Sequence, residues 1–151
     1  MQETNEYQRA RASLESYGVF ASGTLGRSMR PLFREGKDVV IVCKHDLPPK
    51  KYDVVLYERA GKCVLHRVIK KCGDVNIIRG DNTYALEYVN DRDILGILME
   101  FDRGKKHHTV MEHGYKIYSV IWNFIYPLRH AMVILKSLPR RIFRKLFSKK
   151  R

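Results

Sequence analysis

Cysteine is scarce in this chain, and its few cysteines form no recognisable framework. The 151 residues include three cysteines, Cys43, Cys63 and Cys72, and no Cys-x-x-Cys pair. An odd number of widely spaced cysteines argues against a disulfide framework and against a zinc site. We therefore expect free, partly buried thiols and a reducing compartment.

Acidic residues are absent from the C-terminal segment. Residues 114–151 contain ten Lys or Arg and no Asp or Glu, whereas the whole chain has 29 basic and 16 acidic side chains. Residues 1–113 therefore hold 19 basic and 16 acidic side chains and are nearly balanced. The formal net charge of +13 is thus concentrated at the C-terminal end, which favours an anionic partner there.

A secretory signal is also lacking. Residues 1–11 are polar and charged, without the apolar core that an export signal requires. We expect a cytoplasmic protein that is peripheral at the membrane, or alternatively anchored to it through the C-terminal segment.

Short runs rich in β-branched residues fill the middle of the chain. Turn signals such as Pro48-Pro49, Ala60-Gly61 and Gly73-Asp74 separate them. This spacing predicts a mainly β fold: one compact, mostly antiparallel domain over residues 18–102. The predicted strands are 18–24, 38–43, 53–58, 63–70, 75–79 and 94–101.

The segments on either side of this domain have a different composition. Residues 1–17 form a polar N-terminal segment in which 3–17 could be a short helix. Residues 103–113 are polar and predict a linker. Residues 114–151 then form a basic, amphipathic helical tail.

A serine on a glycine-bounded turn is the first candidate for chemistry. Ser28 lies in Gly26-Arg27-Ser28-Met29-Arg30-Pro31, where glycine and proline favour a turn with unpaired backbone N–H groups. Such groups can stabilise an oxyanion, and the serine hydroxyl becomes a nucleophile when a base takes its proton. A serine that only caps a helix is the alternative.

A histidine and two carboxylates could complete the site. Strand alternation places His66 on an apolar face, where a neutral ring can act as a general base or serve as a structural core histidine. Asp81, in Gly80-Asp81-Asn82, is either a turn residue or an acid that orients the ring, and Glu87 is either an exposed carboxylate or that acid.

The order of these segments resembles a family of serine peptidases. Gly26 to Pro31 is similar to a Gly-x-Ser-Met-x-Pro nucleophile box, residues 36–40 to a Gly-x-Asp-Val-Val strand, His66-Arg67-Val68-Ile69 to a base box, and residues 80–82 to a Gly-Asp-Asn box. Together they resemble the signal peptidase and SOS-repressor superfamily over roughly residues 18–100. The His-Arg-Val-Ile context is similar to the archaeal and endoplasmic-reticulum type, which has a histidine base.

The resemblance implies a signal-peptidase-like fold and a role for each matching residue. Ser28 would be the nucleophile, His66 the general base, and Asp81 or Glu87 the acid beside the base. The chain departs from the family at Gly26, where signal peptidases often have a serine, and at Glu87, where the second acid is commonly aspartate. The implied reaction is peptide cleavage through an acyl-enzyme, which requires no metal or cofactor.

The tail predicts where such a peptidase would work. Apolar residues recur at helical spacing over 115–138, Pro127 should kink or split this helix, and residues 140–147 alternate basic and apolar side chains. A basic amphipathic helix is typical of binding in the plane of an anionic membrane surface. The alternatives are a helix packed on the protein's own core, a true membrane span, and nucleic-acid binding, which is the least favoured.

The sequence therefore predicts a serine endopeptidase that cleaves a peptide or leader segment at the cytoplasmic face of a membrane. Two rival functions remain. One is a membrane-associated scaffold that has the fold without the activity. The other is a repressor-like protein that cleaves itself, although no helix-turn-helix is evident.

Overall fold

The computed structural model describes residues 3–137. Within them lie three helices, α1 (Glu3–Tyr17), α2 (His113–Phe124) and α3 (Tyr126–Ser137). The strands of this part of the chain are β1 (Val19–Gly23), β2 (Asp38–Cys43), β3 (Val54–Arg59), β4 (Lys62–Cys72), β5 (Val75–Arg79), β6 (Glu87–Asn90), β7 (Ile94–Arg103) and β8 (Lys106–Thr109).

These strands form one antiparallel sheet. Its order is β1-β2-β7-β3-β4-β5-β6, and β8 pairs with the second half of β7. The predicted mainly β fold with C-terminal helices is confirmed.

Burial follows from the alternation of side chains along the strands. In β2, Asp38, Val40 and Val42 point inward while Val39 is exposed. In the central strand β3, four consecutive residues, Val54 to Tyr57, are buried. Both faces of the sheet are therefore covered at β3, and the side chains on either side of it belong to separate clusters of the core.

The N-terminal helix covers one of these clusters. Ala10 and Leu14 of α1 are buried against Phe20, Val42 and Leu56 of the sheet. The predicted helix over 3–17 agrees with the structure, and its inner face is part of the core of the β domain.

The segment predicted as a linker, residues 103–113, has regular structure. Its residues 106–109 form β8, which continues from β7 as a hairpin and places α2 directly after the sheet. The predicted C-terminal helix is divided at Ile125, and Pro127 is the second residue of α3, where its missing N–H costs no helical hydrogen bond. The predicted amphipathic segment 140–147 and the basic end of the chain lie outside the described residues.

Candidate functional site

The candidate nucleophile lies on a turn that leads directly into the core. Ser28 follows Gly26, whose φ of 78° is in the left-handed region that favours glycine. Directly after it, Met29, Leu32 and Phe33 are buried in a core cluster. Ser28 itself is half-buried, and among residues 3–137 its backbone N–H has no hydrogen-bond acceptor.

A buried carboxylate holds the chain that follows this turn through hydrogen bonds. Asp38, at the start of β2, accepts hydrogen bonds from the backbone N–H of Arg34 at 2.7 Å and from its guanidinium at 2.6 Å. Thr24 donates its hydroxyl to the carbonyl of Arg34 at 2.7 Å. These contacts close the connection between β1 and β2 and so fix where Ser28 lies.

The candidate base is a buried histidine in β4. His66 pairs with Val55 of β3, which places Tyr57, two residues further along β3, on the same face and diagonal to the ring. His66 Nδ1 lies 3.1 Å from the Tyr57 hydroxyl and 3.0 Å from Glu87 Oε1. Only 3% of the His66 side chain is exposed.

The hydrogen bonds determine which ring nitrogen holds the proton. The Tyr57 hydroxyl donates its one proton to Glu87 Oε2 at 2.7 Å, so it cannot also donate to the ring. His66 Nδ1 therefore carries the proton and donates it to the Tyr57 hydroxyl oxygen, with Glu87 Oε1 3.0 Å away, which leaves Nε2 as the acceptor. A histidine with a free Nε2 lone pair is in the form that a general base requires.

The charges around the ring keep it neutral. Burial lowers the pKa of His66, and this effect outweighs the attraction of the imidazolium for Glu87. Burial opposes ionisation of Glu87 as well, but hydrogen bonds from Tyr57 and Arg59 hold the pKa of its carboxyl below its usual value. The pair at neutral pH is thus a neutral imidazole beside a carboxylate.

Ser28 and His66 meet at Gly80. A Cβ built on Gly80 would lie 2.7 Å from the carbonyl oxygen of Ser28, 3.0 Å from His66 Nε2 and 3.0 Å from Thr83 Oγ1. The free nitrogen of the candidate base and the backbone of the Ser28 turn therefore both lie close to Gly80. Within residues 3–137 the Ser28 hydroxyl makes no hydrogen bond to the ring.

A cavity opens beside this contact. It has a volume of about 490 Å³, and both Ser28 and His66 line it. Several of the other lining side chains are apolar residues of the sheet, among them Phe20, Val40 and Leu56. An extended chain with an apolar side chain would fit such a wall.

Asp81 lies elsewhere in the site. Its carboxylate accepts hydrogen bonds from Arg67 Nε and Nη2, both at 2.8 Å, and from the Tyr118 hydroxyl at 2.9 Å. Of the two acids considered from the sequence, the structure brings Glu87 to His66 and pairs Asp81 with Arg67.

The Gly80-Asp81-Asn82 loop joins the two halves of the site. Asn82 donates its backbone N–H to the carbonyl of Ser28 at 2.7 Å and its side-chain amide to the carbonyl of Arg27 at 3.2 Å. Asp81 holds Arg67, the residue after His66. One loop therefore contacts both the nucleophile turn and the strand of the base.

Helix α2 seals this loop with polar and aromatic side chains. Arg67 Nη1 donates to the Ser119 hydroxyl at 2.8 Å, and the guanidinium carbon lies 5.5 Å from the centroid of the Tyr115 ring and 5.7 Å from that of Tyr118. The indole of Trp122 donates to the carbonyl of Asp81 at 2.8 Å. Since Arg67 is fully buried, α2 is part of the structure that holds the site together.

Tyr57, Arg59 and Arg67 were missed by the sequence reasoning as site residues. Arg59 Nη1 lies 2.8 Å from Glu87 Oε1. The alternation of β3 could have identified Tyr57, because it shares a face with Val55, the partner of His66. Nothing in the sequence indicates the pairing of Arg67 with Asp81.

Searches for similar proteins add no family to this picture: no protein-family model matches the chain, and no curated protein matches it in sequence. Among residues 3–137, no group of three or more His, Cys, Asp or Glu side chains is placed to hold a metal ion.

Proposed function

We propose that the protein is a serine endopeptidase in which Ser28 is the nucleophile, His66 the general base and Glu87 the acid that orients the base. One observation carries the proposal. His66 Nδ1 lies 3.0 Å from Glu87 Oε1, while Nε2 and the backbone of Ser28 both adjoin Gly80 beside a cavity that the two residues line.

The proposed reaction begins when His66 Nε2 takes the proton of the Ser28 hydroxyl as the oxygen attacks a peptide carbonyl. The hydroxyl must first come within hydrogen-bond reach of Nε2, a contact that is often long without substrate. The N–H of Ser28, which has no acceptor among residues 3–137, would donate to the oxyanion. His66 then protonates the leaving amine, and water hydrolyses the acyl-enzyme by the same proton transfers in reverse.

The edge of the sheet supports a peptide as substrate. Strand β1 pairs only with β2 among the described strands, and its residues Phe20, Ser22 and Gly23 line the cavity. The other edge of β1 can pair with an extended peptide, whose backbone would then run past Ser28. An endopeptidase that cuts within a peptide or leader segment fits this geometry best.

The proposed place of cleavage is the cytoplasmic face of an anionic membrane. Its support is the charge of residues 114–151, ten basic and no acidic side chains. No helix within residues 3–137 combines the length and the apolar character needed to cross a bilayer.

Labelling with a serine-reactive fluorophosphonate tests the proposed chemistry. The wild-type chain should be labelled at Ser28, and S28A and H66A should lose labelling while keeping the wild-type circular dichroism spectrum. S22A is the matched control, because Ser22 lines the same cavity but its hydroxyl is 3.1 Å from Glu6 Oε1. Labelling of S22A should equal that of wild type.

The same experiment separates the rival functions. Failure of the folded wild type to react would contradict the peptidase proposal and favour a scaffold without activity. A truncated product that accumulates in wild type but not in S28A would indicate self-cleavage. Incubation with a peptide library, with cut sites mapped by mass spectrometry, would then identify the substrate sequence.

A further inference from the structure

Helices α2 and α3 present their apolar side chains to solvent. Ile117, Ile121 and Phe124 of α2 are 54–84% exposed, and Leu128 and Leu135 of α3 are 65% and 60% exposed. In an ordinary surface helix the apolar face packs inward. Here that face is outward, so something other than the described part of the chain is needed to cover it.

The opposite face of the same helices carries polar side chains that contact the β domain. Ser119 is buried and bound to Arg67, and Asn123 accepts a hydrogen bond from Arg79 at 2.9 Å. Arg129 donates to the carbonyl of Asp81 at 3.0 Å, and its guanidinium lies over the Trp122 ring at 3.8 Å. These contacts fix the rotation of the helices and keep the apolar stripe directed away from the domain.

The exposed apolar face continues from α2 into α3. Ile125 N–H bonds to the carbonyl of Ile121 at 3.0 Å, and Arg129 N–H bonds to the carbonyl of Ile125 at 3.1 Å. Two helical hydrogen bonds therefore bridge the junction between α2 and α3. With Met132, which is 46% exposed, these apolar residues recur at intervals of three and four over residues 117–135, which makes one continuous face.

We propose that this face, defined by Ile117, Ile121, Phe124, Leu128 and Leu135, docks in the plane of an anionic lipid bilayer. The inference develops the membrane location proposed above and does not depend on catalysis. It also specifies the contact: apolar side chains of α2–α3 enter the lipid, and basic residues of the C-terminal segment meet the headgroups.

Charge favours a bilayer over a second copy of the chain. Residues 114–151 contain no acidic side chain, so two copies that met through this face would bring basic segments together without a partner. A membrane rich in phosphatidylserine supplies the opposite charge and an apolar interior at once. The face and the charge of the same segment thus point to one occupant.

Flotation of the full-length S28A chain with phosphatidylcholine vesicles that contain a quarter phosphatidylserine tests this proposal. L128S should bind about tenfold more weakly than the S28A parent, since it removes one exposed apolar side chain from the lipid contact. L47S is the matched control, because Leu47 is 69% exposed but lies in the loop before β3. Its flotation should not change.

Further measurements separate the other occupants. Binding should fall sharply with vesicles of phosphatidylcholine alone and in high salt. Equal flotation of L128S and its parent would overturn the proposal. Light scattering that finds a dimer in the parent and a monomer in L128S would overturn it in favour of a second copy. The two proposals can fail separately. If S28A floats with the vesicles but the wild type is not labelled by the fluorophosphonate, lipid binding stands and the peptidase proposal fails.

Discussion

The replacement of Asp81 by asparagine tests whether this residue holds the fold together or acts on His66. The Arg67–Asp81 pair is buried, with 0% and 1% of the two side chains exposed. Asparagine keeps the shape but puts an NH2 group opposite an arginine that can only donate. Loss of one partner from a buried pair costs about 3–5 kcal/mol, because the other charge stays buried without compensation.

That loss is large against the usual total of about 5–15 kcal/mol for a folded domain. With a urea dependence of about 1–3 kcal/mol per molar, the unfolding midpoint should fall by about 2 M. Trp122, the only tryptophan, reports the transition by its fluorescence because its indole is bound to the Asp81 carbonyl. Urea titrations of wild type and D81N give the difference directly.

A surface pair provides the control. Asp93 lies 3.9 Å from Arg92, with 56% and 84% of these side chains exposed, so D93N should change the free energy of unfolding by less than about 1 kcal/mol. A loss in D81N as small as that in D93N would refute the reasoning. Loss of probe labelling in D81N at unchanged stability would instead make Asp81 a partner of the base.

Three further predictions concern the site itself. In wild type, the labelling rate should rise with pH through a His66 pKa below 6.5. In E87Q the imidazolium of His66 loses its anionic neighbour, so this rise should move to lower pH and the plateau rate should fall. An E87Q profile identical to that of wild type would contradict the role assigned to Glu87. Y57F removes a hydrogen bond to a carboxylate and should lower the free energy of unfolding by about 1.5–3 kcal/mol, measured in urea; an unchanged midpoint would show that this bond contributes nothing. G80A should abolish labelling of a folded chain, because its Cβ would lie 2.7 Å from a backbone oxygen, whereas G114A, with open space at that position, should be labelled like wild type. Full labelling of G80A would mean that the turn can shift without loss of the site.

Much of the sheet could be predicted because its strands carry a local signal. The bounds predicted for β2 and β5 agree with the structure, and β4 and β7 were predicted two or three residues too short. The strands β6 and β8 were missed, since each has four residues and a largely polar sequence. Their pairing with longer neighbours, rather than their own propensity, makes them strands.

Because β6 was missed, the sequence left open whether Asp81 or Glu87 lies beside His66. Glu87 is the first residue of β6, so its approach to His66 depends on the pairing of β6 with β5, which no local pattern reveals. Asp81 was an equally good candidate by sequence, because its pairing with Arg67 is a long-range contact. The Ser28 turn and the His66 strand, in contrast, were visible as local motifs.

The amphipathic pattern of α2 identified two faces but not which one is buried. Burial of the polar face follows from Arg67, whose guanidinium needs acceptors that α2 supplies together with Asp81 and the Tyr52 carbonyl. That requirement comes from tertiary structure and has no counterpart in the sequence of the helix. The orientation of α2 was therefore beyond sequence reasoning.

The contacts of α2 with Arg67 and Asp81 mean that the C-terminal helices are not an exchangeable module. A chain cut after residue 112 would open a buried guanidinium and carboxylate to water and would leave the loop that holds Ser28 without its cover. Transplanting the helices onto another protein would bring their tyrosines and tryptophan along without the ion pair they enclose. A surface that binds α2 and α3 is therefore linked directly to the domain that contains Ser28 and His66.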